Sequence, residues 1–375
     1  MEHIIKHYRQ IDIIRKAEED FYNISKIKPF DISHWNSGDE YKSQIMRIAK
    51  FPKIDEYLDY MYSYSFNDEI KQRISSIHNA DNAKCALFNN STSAIATTIM
   101  SLKAMNYKSI YLIQPSYFSV YEYLSILGFD IICVNYKYDG GYHIPFELIE
   151  KDVDLVWITQ PVFSTGTYIP DEEIITLINE FKFVIIDYSM SNVINYTTPS
   201  LINYNKTICI FSPQKPVSMN GIKFSYVLCN EDIAKRLQDW CDVISGSLSS
   251  SCILAIYHFL SSNYVLCSNE HKTFINKSHK EIDKIISGSG NLLTKCGHSV
   301  DNTYETLTIN SISYREDINY DFLYDFITKT HVSLTPGVIN GFDIQNGFCF
   351  RINHTLDISK NKIALYKIIS YLDHQ

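Results

Sequence analysis

Residues 207–230, TICIFSPQKPVSMNGIKFSYVLCN, decide how the rest of the chain is read. Thr207–Phe211 and Tyr226–Cys229 are short apolar runs rich in β-branched and aromatic residues, and Pro213 and Gly221 punctuate the polar loop between them. An uninterrupted apolar run of this length, bounded by turn residues, reads as a strand buried on both faces. The loop carries Ser212, Lys215 and Lys223. A lysine held on a tight loop at a strand end can be desolvated and lose basicity, which nucleophilic amine chemistry requires. Alone, the same lysine reads more readily as a solvated surface residue.

The same alternation runs from about residue 84 to 230. Strands are expected at Ser109–Leu112, Ile131–Val134, Leu155–Thr159 and Phe183–Ile186 as well, with helices at Ser93–Lys103, Ser119–Leu127 and Asp171–Glu180. Strand, helix, strand repetition predicts an α/β layer around a mostly parallel sheet flanked by helices. Ligands in such sheets bind beyond the carboxyl ends of the strands. After Asn230 the pattern changes to long helices at Asp232–Ile244, Ser249–Ser261 and Val265–Ile286, then the SGSGN stretch at 287–291. A smaller α+β C-terminal domain is expected beyond it. The division is therefore an amino-terminal arm or part of the small domain at 1–45, a large domain at 46–264, a connecting helix at 265–290 and the small domain at 291–375.

The 375 residues suffice for two or three domains, and 45% apolar with 20% charged residues excludes a disordered or fibrous chain. A net charge of −8 without a long basic run argues against nucleic acid as a partner. Nine cysteines with no CxxC pair fit reduced thiols in a cytoplasm, and their spacing points to no metal site. The first residues carry charges every few positions, so neither a signal peptide nor a membrane anchor is expected. The 28 tyrosines read mostly as genome-level composition bias.

Three further polar features sit at expected strand ends. Asn90, Ser91 and Thr92 precede an apolar helix, where backbone N–H groups and hydroxyls can cradle a phosphate, although an ordinary N-cap explains them as well. Asp187 closes an apolar strand as either a helix cap or a functional carboxylate. Arg351, in the apolar FCFRI run at 348–352, is costly to bury unless it meets an anion such as a carboxylate.

A phosphate cradle, an Asp, a Lys and then a carboxylate-binding Arg is the layout that pyridoxal 5′-phosphate (PLP) enzymes need. In this order the sequence resembles the aspartate-aminotransferase-like, fold type I PLP enzymes, particularly class I/II aminotransferases, from roughly residue 30 to the end. Ser212, Lys215, Gly221 and Lys223 match the family's lysine segment. The resemblance makes Lys215 the Schiff-base lysine and general base, with Ser212 and Lys223 on the phosphate, although the family usually has Arg where Lys223 stands. Asp187 matches the partner of the pyridine nitrogen, and Arg351 the anchor of the substrate's α-carboxylate. Tyr117, within Pro115-Ser116-Tyr117, matches the ring that stacks on the cofactor. The Thr335-Pro336-Gly337 stretch matches the turn upstream of the anchor, and Gly38, after Asn36 and Ser37, would lie near the substrate carboxylate. Tyr62 or Tyr64 would reach the phosphate of a neighbouring subunit, since family active sites draw on both chains of a homodimer.

Two departures stand out. Phe163 occupies the position of an Asn, and Met190 that of a Tyr, which in the family donate hydrogen bonds to the cofactor's phenolic oxygen. Losing both should leave the Schiff-base linkage more readily protonated, unless Gln160, Tyr188 or Asn192 supplies a donor. An aminotransferase acting on a small amino acid is expected. A PLP lyase, cyclase or oxidase of specialised metabolism is the alternative, and a binding protein on the same scaffold is a further one. A nicotinamide enzyme is disfavoured because no GxGxxG segment is present.

Overall fold

Leu155–Thr159 and Thr207–Phe211 are buried at every position, and Phe183–Tyr188 at every position but the first. Such strands need cover on both faces, and each fully buried Ile or Val contributes about 1.5–3 kcal/mol to the reason for providing it. They form the centre of a seven-stranded sheet in the protein's structure, a computed structural model that describes residues 6–49, 64–80, 84–149, 152–192, 202–246, 248–297, 302–312, 319–343 and 347–374.

The sheet contains β1 (Lys84–Phe88), β2 (Ser109–Gln114), β3 (Asp130–Asn135), β4 (Leu155–Thr159), β5 (Phe183–Tyr188), β6 (Thr207–Phe211) and β7 (Ser225–Cys229). Their spatial order is β1-β7-β6-β5-β4-β2-β3. Only β7 runs against its neighbours; β2 to β6 pair in parallel. The expected mostly parallel sheet is therefore present. β1 was absent from the expected strands, because Lys84-Cys85-Ala86 lacks the β-branched residues that mark the others.

One apolar cluster, including Ile158, Ile186 and Phe211, covers one face of the sheet, and another, including Leu112, Trp157 and Ile210, covers the opposite face. The alternation of side chains along each strand splits them this way. Asp171–Glu180 forms the helix its sequence predicts, with Asp171, Glu172 and Glu173 in the first turn against the helix dipole. Where a helix at Ser249–Ser261 was expected, α-helix ends at His258. One π-helical turn, Phe259–Asn263, then leads into the long helix Tyr264–Ser287. That helix stops at the SGSGN stretch.

The C-terminal region builds a three-stranded antiparallel sheet from β8 (Leu293–Lys295), β9 (Tyr304–Ile309) and β10 (Phe348–Asn353). The amino-terminal helix Lys6–Ser25 packs here: Ile14, Ala17 and Phe21 share a core with Leu323, Phe326 and Phe350. Phe30–Asp31 then pairs in parallel with Val332–Ser333. Gly337, in the turn before β10, has no room for a side chain, since a Cβ there would lie 2.2 Å from Cys349 Sγ. No helix among the described residues is long and apolar enough to cross a membrane.

Candidate active site

The carboxyl ends of the parallel strands converge on a cavity of about 600 Å³. β5 delivers Asp187, which is buried and accepts a 2.9 Å hydrogen bond from the Ser189 N–H. In register beside it, β4 ends in Thr159. The loop after β6 delivers Ser212, Gln214 and Lys215. Tight turns shape this loop, with Lys215 N–H donating to Ser212 O and Ser218 N–H to Lys215 O. Gln214 Nε2 pins it to Phe224 O at 2.8 Å.

The same loop is held from outside. Tyr41 hydroxyl donates to Val217 O, and Thr303 Oγ1 donates to Pro216 O at 2.7 Å. Ser218 Oγ meets Ser37 Oγ at 2.9 Å and Thr355 Oγ1 at 3.0 Å. Segments distant in sequence thus fix the backbone that carries Lys215.

Lys215 Nζ donates to Ser91 Oγ at 2.5 Å, which joins the lysine loop to the first residue of the helix Ser91–Ala104. Burial pushes the Lys215 amine below the ordinary lysine value; Asp187 opposes that shift and Lys223 adds to it. Lower basicity is what an attacking amine or a general base needs. Asn90 Oδ1 accepts from Ser93 N–H at 2.8 Å, and Ser93 Oγ accepts from Asn90 N–H at 3.3 Å, a reciprocal capping box. The Asn90 side chain is therefore occupied as an N-cap. Ser91 and Thr92 present the first turn of that helix to the cavity.

The Tyr117 ring stands 5.9 Å from Lys215 Nζ and stacks on Phe163, with centroids 6.1 Å apart and planes 26° from parallel. Lys223, Met190, Asn220 and Ile222 complete the lining with Trp35 and Asn36. A second cavity of about 530 Å³ shares Trp35, Asn36 and Tyr117 and reaches Arg351. That guanidinium lies 3.9 Å over Trp35 and donates from Nη2 to Ser33 O at 2.6 Å. Among the described residues no carboxylate lies within ion-pair distance of it, so its charge remains available to an anion. Burial lowers its basicity, partly offset by Tyr304 and Asp31.

The geometry thus brings together Asn90, Ser91, Thr92, Tyr117, Phe163, Asp187, Lys215 and Lys223 around the cavity, while Ser212 is buried on the same loop and does not line it. Gly38 is elsewhere. Its N–H donates to Thr355 O, and a Cβ there would lie 2.4 Å from Asp357 Oδ1, so close packing against Asp357 accounts for this glycine. Asn36 reaches the cavity in its stead. Tyr62 lies outside the described residues, and so does the side chain of Tyr64. Gln160 exchanges hydrogen bonds with the Ile169 backbone, Asn192 Nδ2 donates to Ser268 Oγ, and Tyr188 stacks on Phe211 in the core. None of these three lines the cavity.

Two hydroxyls unmarked in the sequence do: Thr159 and Ser189 both line it, and both oxygens are buried with no hydrogen-bond partner among the described residues. Ser212 Oγ is in the same condition. Unpaired buried hydroxyls are expensive unless a ligand completes them. Two cations, a helix amino terminus, these hydroxyls, a carboxylate and an aromatic face together suit a flat heteroaromatic phosphate, so the donor set fits PLP.

Comparison with known proteins agrees. The sequence profile described as "Aminotransferase class I and II" matches residues 36–365. A histidinol-phosphate aminotransferase of Clostridium beijerinckii is 26% identical over 176 residues, 45% of this chain and 47% of that protein, so the match spans about half the length of this curated relative. The fold is shared with the histidinol-phosphate aminotransferase of Clostridium acetobutylicum: TM-score 0.69, 20% identity, 92% of this chain and 100% of that one. It is shared also with an aspartate aminotransferase of Thermotoga maritima: TM-score 0.72, 13% identity, 97% and 96%. With the profile covering most of its length, the chain belongs to the class I and II aminotransferase family, whose members depend on PLP.

Proposed function

We propose that this protein is a PLP-dependent aminotransferase acting on a small amino acid. The observation that carries the reading is the buried Lys215 amine, 2.5 Å from Ser91 Oγ in a cavity that also holds Asp187 and Lys223. Ser91, Thr92, Ser212 and Lys223 would hold the phosphate, Tyr117 would cover one face of the ring, and Asp187 would meet the pyridine nitrogen. When bound, the cofactor supplies an electron sink for the carbanion formed at the substrate's Cα.

The chain's own groups do the rest. Arg351 orients the substrate by its carboxylate across Trp35 and Asn36. Lys215 Nζ takes the Cα proton and returns it, helped by the low basicity that burial confers. Asp187, buried and fixed by the Ser189 N–H, is the carboxylate that would pair with the ring nitrogen. The reading extends to a cytoplasmic homodimer with shared active sites, which follows from the family pattern and is checked by light scattering.

A second reading is favoured by Phe163 and Met190 at the cavity wall: a PLP lyase, cyclase or oxidase in which amino-group transfer is no longer the outcome. One experiment tests both. The purified protein is titrated with an amino-acid panel, with and without 2-oxo-acid acceptors, and products are separated by mass spectrometry. A 2-oxo acid formed together with a new amino acid from the acceptor supports transamination. Product formation without any acceptor supports the second reading, and no spectral response to any amino acid removes both.

A further inference from the structure

The second cavity, of about 530 Å³, adjoins the proposed cofactor cavity at Trp35 and Tyr117 and holds charges that the proposed reaction does not use. From the amino-terminal helix Lys6–Ser25 it takes Ile11, Ile14 and Glu18, which recur at helical spacing and so share one face. Asp31 and Ile339 line it as well. Asp31 is the register partner of Ser333, whose hydroxyl donates to Glu18 Oε1, and this brings the two carboxylates near each other.

Both carboxylates are under-partnered. Among the described residues Glu18 has only the Ser333 hydroxyl, Asp31 only the Ser33 N–H at 2.8 Å, and neither has a cation within ion-pair distance. An ionised carboxylate has about four acceptor sites, so most of each is unfilled. Burial, and after it the charge of Asp31, push the Glu18 carboxyl above the ordinary glutamate value, and burial does the same to Asp31. Two other basic residues in the lining do not answer this charge. Arg15 reaches toward Asp12 at 3.6 Å with its side chain 60% exposed, and His34 Nδ1 accepts the Asn36 N–H at 3.0 Å, so that nitrogen carries no proton. Both act on Glu18 less than Asp31 does.

Arg351, 6% exposed, commits Nε and Nη2 to Ser33 O, while its Nη1 has no hydrogen bond among the described residues. Under the role proposed for Arg351, a substrate carboxylate arrives there. The cavity then holds three negative groups, that carboxylate, Glu18 and Asp31, around one buried guanidinium. Buried charges are costly without partners. A positive charge further along the substrate supplies one.

We propose that this cavity takes the substrate's side chain and selects an α-amino acid ending in an ammonium group, its aliphatic stem along Ile14 and Ile339 and its charge between Glu18 and Asp31. The proposal deepens the aminotransferase reading and rests on the part Arg351 plays in it. Methylene groups leave water against the isoleucines while the tip keeps charged partners, as long cationic side chains do elsewhere. A neutral straight chain would leave both carboxylates unpaired, and an acidic one would add a further negative charge.

The test titrates the full-length holoenzyme by calorimetry with 5-aminopentanoate and with pentanoate, which share a carboxylate and a carbon chain, lack an α-amine and differ only in the terminal ammonium. The amino compound should bind at least about tenfold more tightly, the size of one charge-assisted hydrogen bond. Glu18→Gln, which keeps the shape of the side chain, should cut that preference to about twofold or less, because it removes the charge that carries most of such a bond. Equal affinity of the wild type for the two compounds overturns the proposal, as does a preference that Glu18→Gln and Asp31→Asn both leave intact. If neither variant folds, the wild-type comparison decides. Steady-state kinetics of ornithine against norvaline reads the same selectivity in the reaction, and norvaline turned over as well as ornithine overturns this proposal alone. A preference in calorimetry without turnover of any amino acid would remove the aminotransferase reading and still support the cation-binding cavity.

Discussion

Lys215 Nζ and Ser91 Oγ, 2.5 Å apart, join the loop after β6 to the first turn of the helix Ser91–Ala104. An amine at this junction is desolvated yet supported by a hydroxyl. Replacing Lys215 with Ala should lower turnover about 10³-fold or more, the range for losing a positioned general base. Single-turnover kinetics with added small amines checks this, and partial rescue by the amine is expected.

Arg351 donates to Ser33 O and stacks on Trp35. Lysine can replace its charge but not the planar fork. For Arg351→Lys we expect KM for the amino acid to rise about tenfold to a hundredfold, the size of one or two charge-assisted hydrogen bonds, with kcat changed less. Steady-state kinetics separates the two parameters.

Thr159 and Ser189 carry buried hydroxyls without a hydrogen-bond partner among the described residues, in the cavity that Phe163 and Met190 also line. If they serve the cofactor, Thr159→Val and Ser189→Ala should each shift the pH midpoint of the visible chromophore upward. Met190→Tyr should shift it downward. A spectrophotometric pH titration reads all three, and unchanged midpoints in the first two would assign those hydroxyls no such role.

His78 Nε2 lies 2.6 Å from the Tyr226 hydroxyl, and burial lowers its pKa from 6.5 to about 4. The unfolded chain therefore binds a proton between about pH 6.5 and 4 that the folded chain refuses. Stability is full above that window and falls as pH drops through it, by up to about 3 kcal/mol at 1.4 kcal/mol per unit. Urea midpoints at pH 7.5 and 4.5 should differ less in His78→Gln than in the wild type.

The chemistry most legible in the sequence lay where one short stretch carries several groups at once. Lys215 with Ser212, Gly221 and Lys223, and Asp187 at the end of its apolar strand, could be read because strand ends place consecutive residues at one surface. Thr159 and Ser189 could not. A hydroxyl near a strand end is common, and theirs stand out only because both oxygens are buried without a hydrogen-bond partner among the described residues. Only the family resemblance places Gly38 near the substrate carboxylate, and its close packing on Asp357 joins residues too far apart for any local pattern to show. The clamp on the lysine loop joins residues 37, 41, 303 and 355, and no local pattern announces contacts across such separations.

That clamp has a consequence for which molecules can react. Arg351 lies four residues before Thr355, whose hydroxyl meets Ser218 Oγ at 3.0 Å, and Ser218 N–H is bonded to Lys215 O. Under the proposed roles, the group that grips a carboxylate and the group that moves a proton are spaced like the jaws of a caliper. An amino acid with one extra carbon between its carboxylate and its amine would present the wrong atom at the second jaw, so β-amino acids should bind yet stay unconverted.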